Sequence, residues 1–205
     1  MVTIGIIHTD RPGVDYLSKV EDSLDRSDWV GDLLLYEDHD RKLGCFGNFN
    51  RALKDLIEVS ETDYILVSSD DMVFSRNWLS VLIKKIKSTP PFGFLSLYTP
   101  FGMTYYHKIP SGWTRLNVGW AKGCWGGQYV FHKKVAEMIV NHGFYENHLR
   151  NYKKNQQVDH CIPETCFQLG LDQWYCNPSL CDHIGYKSTL DHPHTRMEKG
   201  LNFKF

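Results

Sequence analysis

The first hundred residues alternate short β-branched runs with amphipathic helical stretches, and that alternation constrains the fold more than anything else in the chain. Val2–His8, Leu33–Tyr36, Tyr64–Ser68 and Phe94–Tyr98 read as strands with apolar residues on both faces. Between them, Tyr16–Leu24, Phe49–Val59 and Trp78–Ile86 carry apolar residues at helical spacing, and Pro90-Pro91 stops the last. Crossovers this short in a β-α-β-α-β-α-β order demand a parallel sheet covered by helices. The expected class is therefore α/β, with a central mostly parallel sheet.

Polar and acidic groups follow the first three of these strands. Thr9-Asp-Arg-Pro-Gly13 follows the first, Glu37, Asp38 and Asp40 the second, and Asp70-Asp71 the third. Parallel strands put all of these on one sheet edge, where open α/β sheets bind ligands. Two adjacent carboxylates repel unless a cation or proton donor lies between them. A hard divalent metal with a diphosphate as co-ligand answers that need, and a solvated turn is the plain alternative.

The second half changes character. Residues 98–125 are rich in Gly, Pro, Tyr and Trp and show no clear helix. Gly126–His132 reads as a strand, Lys133–Asn141 as a helix and Glu146–Gln157 as a polar loop. Asp159–Leu169 reads as a helix whose Pro163 belongs in its first turn, with Gly170 ending it. Trp174–Cys176 is a short strand, Ser179–Gly185 a tight loop carrying His183, and the residues from Ser188 onward an exposed or wrapping tail.

Composition narrows the function. A net charge of -1 argues against a nucleic acid or an anionic membrane recognised by bulk charge. No run approaches a membrane span and the start lacks a signal-peptide layout, so the expected location is cytoplasmic. The six cysteines form no C-x-x-C pair, which disfavours zinc and fits reduced thiols. Gly44–Arg51 is not a phosphate-binding G-x-x-x-x-G-K-[ST] loop, and no G-x-G-x-x-G follows the first strand, so an ordinary NTPase and a dinucleotide enzyme are both disfavoured.

Several later residues have both a plain and a chemical reading. Asp159 caps a helix or serves as a general base, with His160 and Glu164 competing for the second role. Ile162, Cys166 and Gly170, at +3, +7 and +11 from Asp159, dock one helical face and fix the acid relative to the sheet. His183 is a loop histidine or the nitrogen donor of a mixed shell suited to manganese. Trp120, Trp125, Gly126 and Gly127 pack a second lobe or form a platform for a sugar ring.

This order of motifs resembles the GT-A glycosyltransferases, in particular the inverting, family-2-like ones. Ser69-Asp70-Asp71 is similar to their D-x-D motif. Gly44 through Asn50-Arg51 is similar to their G-x-x-x-A-x-N-x-A helix start. Gly126-Gly127-x-x-x-Phe131 is similar to their glycine pair before an acceptor-side strand, and Val158-Asp159 to their E-D-x-x-L segment, with Val in place of Glu. The compact size and the Arg11–Tyr16 stretch also resemble the amino-terminal glycosyltransferase domain encoded by chloroviruses, which implies capsid glycans as acceptors and a host cytoplasm.

The resemblance implies one GT-A domain over 1–205, with a nucleotide-sugar half (1–100) and an acceptor half (101–205). It implies transfer from a nucleotide diphosphate sugar, UDP-linked, to a hydroxyl of a glycan or glycoprotein, with Mn2+ or Mg2+ as cofactor. Asp71 and His183 are then metal ligands and Asp159 the catalytic base. Thr9, Arg11, Asp38, Asn50 and Asp70 contact the nucleotide, and Trp125, Gly126 and Gly127 the sugars. Two rival functions stay open: a nucleotidyltransferase that makes sugar nucleotides, for which Thr9–Gly13 is a poor glycine-rich loop, and a carbohydrate-binding domain without catalysis.

Overall fold

The computed structural model describes residues 1–11, 13–122, 127–151, 158–185 and 199–205. Nine strands are present among them: β1 (Val2–His8), β2 (Leu33–Glu37), β3 (Tyr64–Ser69), β4 (Met72–Phe74), β5 (Phe94–Tyr98), β6 (Gly112–Leu116), β7 (Gly127–His132), β8 (Gln173–Asn177) and β9 (Cys181–His183). The helices are α1 (Leu17–Asp25), α2 (Gly44–Val59), α3 (Trp78–Lys87), α4 (Lys133–Val140), α5 (Gly143–Arg150) and α6 (Val158–Gln168). No helix among the described residues is long and apolar enough to cross a membrane.

Seven strands form one sheet in the order β2-β1-β3-β7-β5-β8-β6. The β1–β2, β1–β3 and β5–β8 pairs are parallel, while β7 pairs antiparallel with both β3 and β5, and β6 antiparallel with β8. The four strands expected in the first half do run in one direction, but β7, from the second half, is inserted between β3 and β5. The carboxyl ends of β1, β2, β3, β5 and β8 consequently share one edge, and the amino end of β7 joins them.

Side chains alternate across the sheet with period two. Ile65, Val67, Phe94, Tyr129 and Phe131 face a core built with α2, α4 and α6. Val2, Ile4, Ile6, Leu66, Leu95 and Val130 face the opposite core, built with α1 and α3. Burial on both faces explains why these strands are continuously apolar. Gly5 faces α2, where an added Cβ would stand 2.9 Å from Leu56 and from the Tyr36 ring. Glycine there sets the close approach of α2 to β1.

The structure differs from the sequence-based reading in five places. Residues 44–47, the end of a stretch (Arg41–Gly47) that reads as loop in the sequence, form the first turn of α2, because the Asp38 carboxylate accepts the Leu43 and Gly44 amides and initiates the helix early. Residues 146–150, expected as the start of a polar loop, belong to α5 (Gly143–Arg150), with the His142 side chain accepting the Phe144 amide. The stretch 98–125 contains β6, which pairs with β8 at the sheet edge. Pro163 lies inside α6, beyond its first turn, and has no amide proton for the Asp159 carbonyl. Finally, β4 and the expected loop at 179–185 form a second, two-stranded sheet in which Met72 pairs with His183. Of the expected tail from Ser188 onward, residues 188–198 lie outside the described residues, while Gly200 bridges to Pro100 and Leu201 is buried.

Candidate active site

The β4–β9 ladder explains how residues more than a hundred positions apart meet. Its register sets His183 opposite Met72, and the Ile184 amide donates to the Asp71 carbonyl at 2.9 Å. The His183 imidazole Nε2 therefore lies 3.3 Å from Asp71 Oδ2. Gly185 is required for this arrangement, since a Cβ there would sit 2.5 Å from Asp71 Oδ2.

Asp70 and Asp71 occupy the turn between β3 and β4, and both are buried. Arg11, from the loop after β1, bridges them: Nη1 donates to Asp70 Oδ1 at 2.6 Å and Nη2 faces Asp71 Oδ2 at 3.4 Å. The Tyr16 ring supports the guanidinium 5.0 Å away. Asp70 Oδ2 also accepts the Thr9 amide at 3.2 Å and lies 2.7 Å from His8 Nδ1. Ser69 Oγ donates to Asp71 Oδ1 at 2.8 Å. Two buried carboxylates are tolerable here because each has several donors and one shared cation.

These contacts set the protonation states. Burial raises the Asp71 pKa, but hydrogen bonding and charge from His183, then Arg11 and Ser69, together hold it below the usual 3.8. Burial likewise disfavours protonated His183, and Asp71 outweighs it, raising the imidazole above its usual 6.5.

The network continues along the sheet edge. His8 Nε2 is 3.3 Å from Asp10 Oδ1, and Asp10 Oδ2 is 2.7 Å from His39 Nδ1. His39 Nε2 is 3.4 Å from Glu37. A chain of alternating acids and bases thus runs from Glu37 at the end of β2 to His183. His8, Asp10, Arg11, Val14, Leu17, His39 and Arg41 line a cleft of about 480 Å³ beside it. His8, Asp10 and His39 were not singled out in the sequence, although each stands at or just beyond a strand's carboxyl end, which is the signal that marks them.

The other expected residues are placed as follows. Thr9 Oγ1 donates to the Asp38 carbonyl at 2.7 Å, joining the ends of β1 and β2. The Asp38 carboxylate is engaged by the α2 amides, and Asn50 Oδ1 accepts from the Tyr145 hydroxyl at 3.1 Å. Asp159 lies in the first turn of α6. Burial first, then the charges of Asp159, Asp71 and Asp70, push the Cys45 thiol up to about 12. Gly127 opens β7 opposite Tyr98. Trp125 and Gly126 lie outside the described residues.

No group of three His, Cys, Asp or Glu side chains suited to a metal occurs among the described residues. Asp71 and His183 supply two donors. Their 3.3 Å separation is close to the spacing of adjacent corners in an octahedral shell, about 3.0 Å for metal–ligand bonds near 2.1 Å. One carboxylate and one imidazole would suit a divalent cation that took its remaining ligands from phosphate oxygens and water. The residues present fit such an ion.

No protein-family model and no curated protein matches the chain. Solved structures do. The S. aureus TarS structure matches with a TM-score of 0.53 at 10% identity over 85% of this chain. This chain spans 36% of the TarS chain, about a third of its length. A197 from STIV matches with a TM-score of 0.53 at 13% identity, covering 89% of this chain and 85% of that one. The sheet order, the helices on its two faces and these likenesses establish the fold: the chain has the GT-A architecture.

Proposed function

We propose that the chain is an inverting glycosyltransferase of the GT-A type, moving a sugar from a UDP-linked donor to a hydroxyl of a glycan or glycoprotein. The observation that carries this reading is the meeting of Arg11, Asp70, Asp71 and His183, from three distant segments, on the ligand-binding edge of a GT-A sheet. The loops after β1 and β2, with Thr9, Asp38 and the adjoining cleft, receive the nucleoside. Residues 1–100 form the donor half and 101–205 the acceptor half of one domain.

Asp71 and His183 would hold a divalent cation, manganese or magnesium, and its contribution there would be Lewis-acid stabilisation of a leaving diphosphate. Arg11 keeps the adjacent acids in register and adds a fixed positive charge where negative charge grows. Asp159 accepts the proton of the acceptor hydroxyl as that oxygen bonds to the anomeric carbon. The bond from that carbon to the diphosphate oxygen breaks with its electron pair, releasing UDP and inverting the centre. Holding donor and acceptor in one cleft supplies much of the rate.

A calorimetric screen of UDP, UDP-sugars and other nucleotide sugars, with and without manganese, tests the reading. Manganese-dependent binding of a UDP-sugar, followed by UDP release on adding glycan, is the expected result. Binding of glycan alone, indifferent to metal and nucleotide, supports the carbohydrate-binding alternative. Pyrophosphate release from a nucleoside triphosphate and a sugar phosphate supports the nucleotidyltransferase.

A further inference from the structure

We propose that Gln128 selects the donor sugar, its side-chain amide oxygen accepting a hydrogen bond from a hexose hydroxyl; this rests on the nucleotide-sugar reading above. The backbone gives the first reason. Gln128 lies in β7 with φ at +59°, a left-handed conformation that costs a non-glycine residue on the order of 1 kcal/mol. The β3–β7 ladder runs from Tyr64↔His132 to Val67↔Tyr129 and stops there. The β5–β7 ladder pairs Ser96 with Tyr129 and Tyr98 with Gly127, passing over Gln128. At this one residue the strand leaves both partners, at the edge where β3 ends in the acid pair.

The side chain gives the second reason. Gln128 is 5% exposed. Its Nε2 lies 3.5 Å from Ser69 Oγ, the hydroxyl that donates to Asp71. Its Oε1 is buried and has no hydrogen-bond partner among the described residues. A buried amide oxygen left unmatched costs about 1–3 kcal/mol. Glycine at this position would remove both penalties, so the glutamine is a burden on the fold that a ligand relieves.

Sheet order identifies which part of a nucleotide sugar that ligand is. Along the order β2-β1-β3-β7, the proposed function assigns the nucleoside to the ends of β2 and β1 and the diphosphate to the acids that end β3. The sugar then extends toward β7. A diphosphate has only acceptor oxygens at neutral pH and cannot donate to Oε1, whereas a hexose offers several hydroxyl donors. Discrimination follows, because a sugar that lacks or misplaces the hydroxyl leaves Oε1 buried and unpaired.

The test is titration calorimetry with manganese, using UDP, UDP-glucose, UDP-galactose and UDP-N-acetylglucosamine as probes. The variants are Gln128→Gly and, should that one fail to fold, Gln128→Asn, which tolerates the left-handed conformation. Both are expected to bind UDP within about twofold of wild type and to weaken the tightest UDP-hexose by about tenfold, the loss of one hydrogen bond. The Gly variant is expected to melt no lower than wild type. An unchanged preference for that hexose over UDP overturns the inference. So do equal losses for UDP and hexose, which make Gln128 only a support for Asp71, and so does wild type binding the hexoses no better than UDP. Failure of wild type to bind UDP at all removes the nucleotide-sugar reading itself.

Discussion

Arg11 shows how single residues define this site. Its guanidinium is the shared cation of two adjacent buried acids, and Asp71 also has His183 against it, so a carboxylate that burial alone would neutralise stays charged. The proposed mechanism gives Asp159, in the first turn of α6, the separate task of taking a proton. Asp159→Asn is expected to lower transfer by at least about 10²-fold while leaving UDP-sugar affinity unchanged, as read by initial rates beside calorimetry. Transfer near the wild-type rate would remove Asp159 as the base. The acid pair was legible at this scale because Asp-Asp after an apolar strand is unusual chemistry in a predictable place. Gln128 was not, because neither a positive φ nor a missing partner can be read from a glutamine.

Elements bring these residues together through two devices, the initiation of α2 and the β4–β9 ladder. Asp38 accepts the Leu43 and Gly44 amides where α2 begins, and so fixes the start of the helix that carries Cys45. Asp38→Ala is expected to lower stability by about 1 kcal/mol in urea denaturation, the usual loss for an uncapped helix start. Unchanged stability would argue that the carboxylate serves ligand alone. The strands and helices of the first half were legible because their periodicities are long and regular. The three-residue strands β4 and β9 were not, because each is too short for a pattern and exists only through its partner. α5 was missed for a related reason: it is a polar helix whose stability comes from burying Tyr145 and His148.

For the whole molecule, the paired charges at the sheet edge tie stability to pH. Asp71 is held below its ordinary 3.8, so its contribution is present above that value and lost as pH falls through the folded pKa. His183 is raised above its ordinary 6.5, so its contribution is full below that value and lost as pH rises through the folded pKa. Metal-free wild type is therefore expected to lose stability on the alkaline side relative to His183→Ala, in melting curves taken across neutral pH. Parallel curves would deny the His183–Asp71 pair any role in stability. Manganese needs the unprotonated imidazole, so its affinity is expected to rise over the same interval. The overall topology was only half legible. Local sequence specified β1, β2, β3 and β5 as co-directional, but nothing local announces that β7 enters between β3 and β5, because that choice is made by long-range pairing.

The central claim is that Asp71 and His183 form one cation site that retains a nucleotide diphosphate. Titration of UDP into wild type, Asp71→Ala and His183→Ala, each with manganese and with chelator, tests it most directly. Wild type should bind UDP at least about tenfold more tightly with manganese than with chelator, and both variants should lose that difference while remaining folded. A manganese enhancement of the same size in folded Asp71→Ala would contradict the claim.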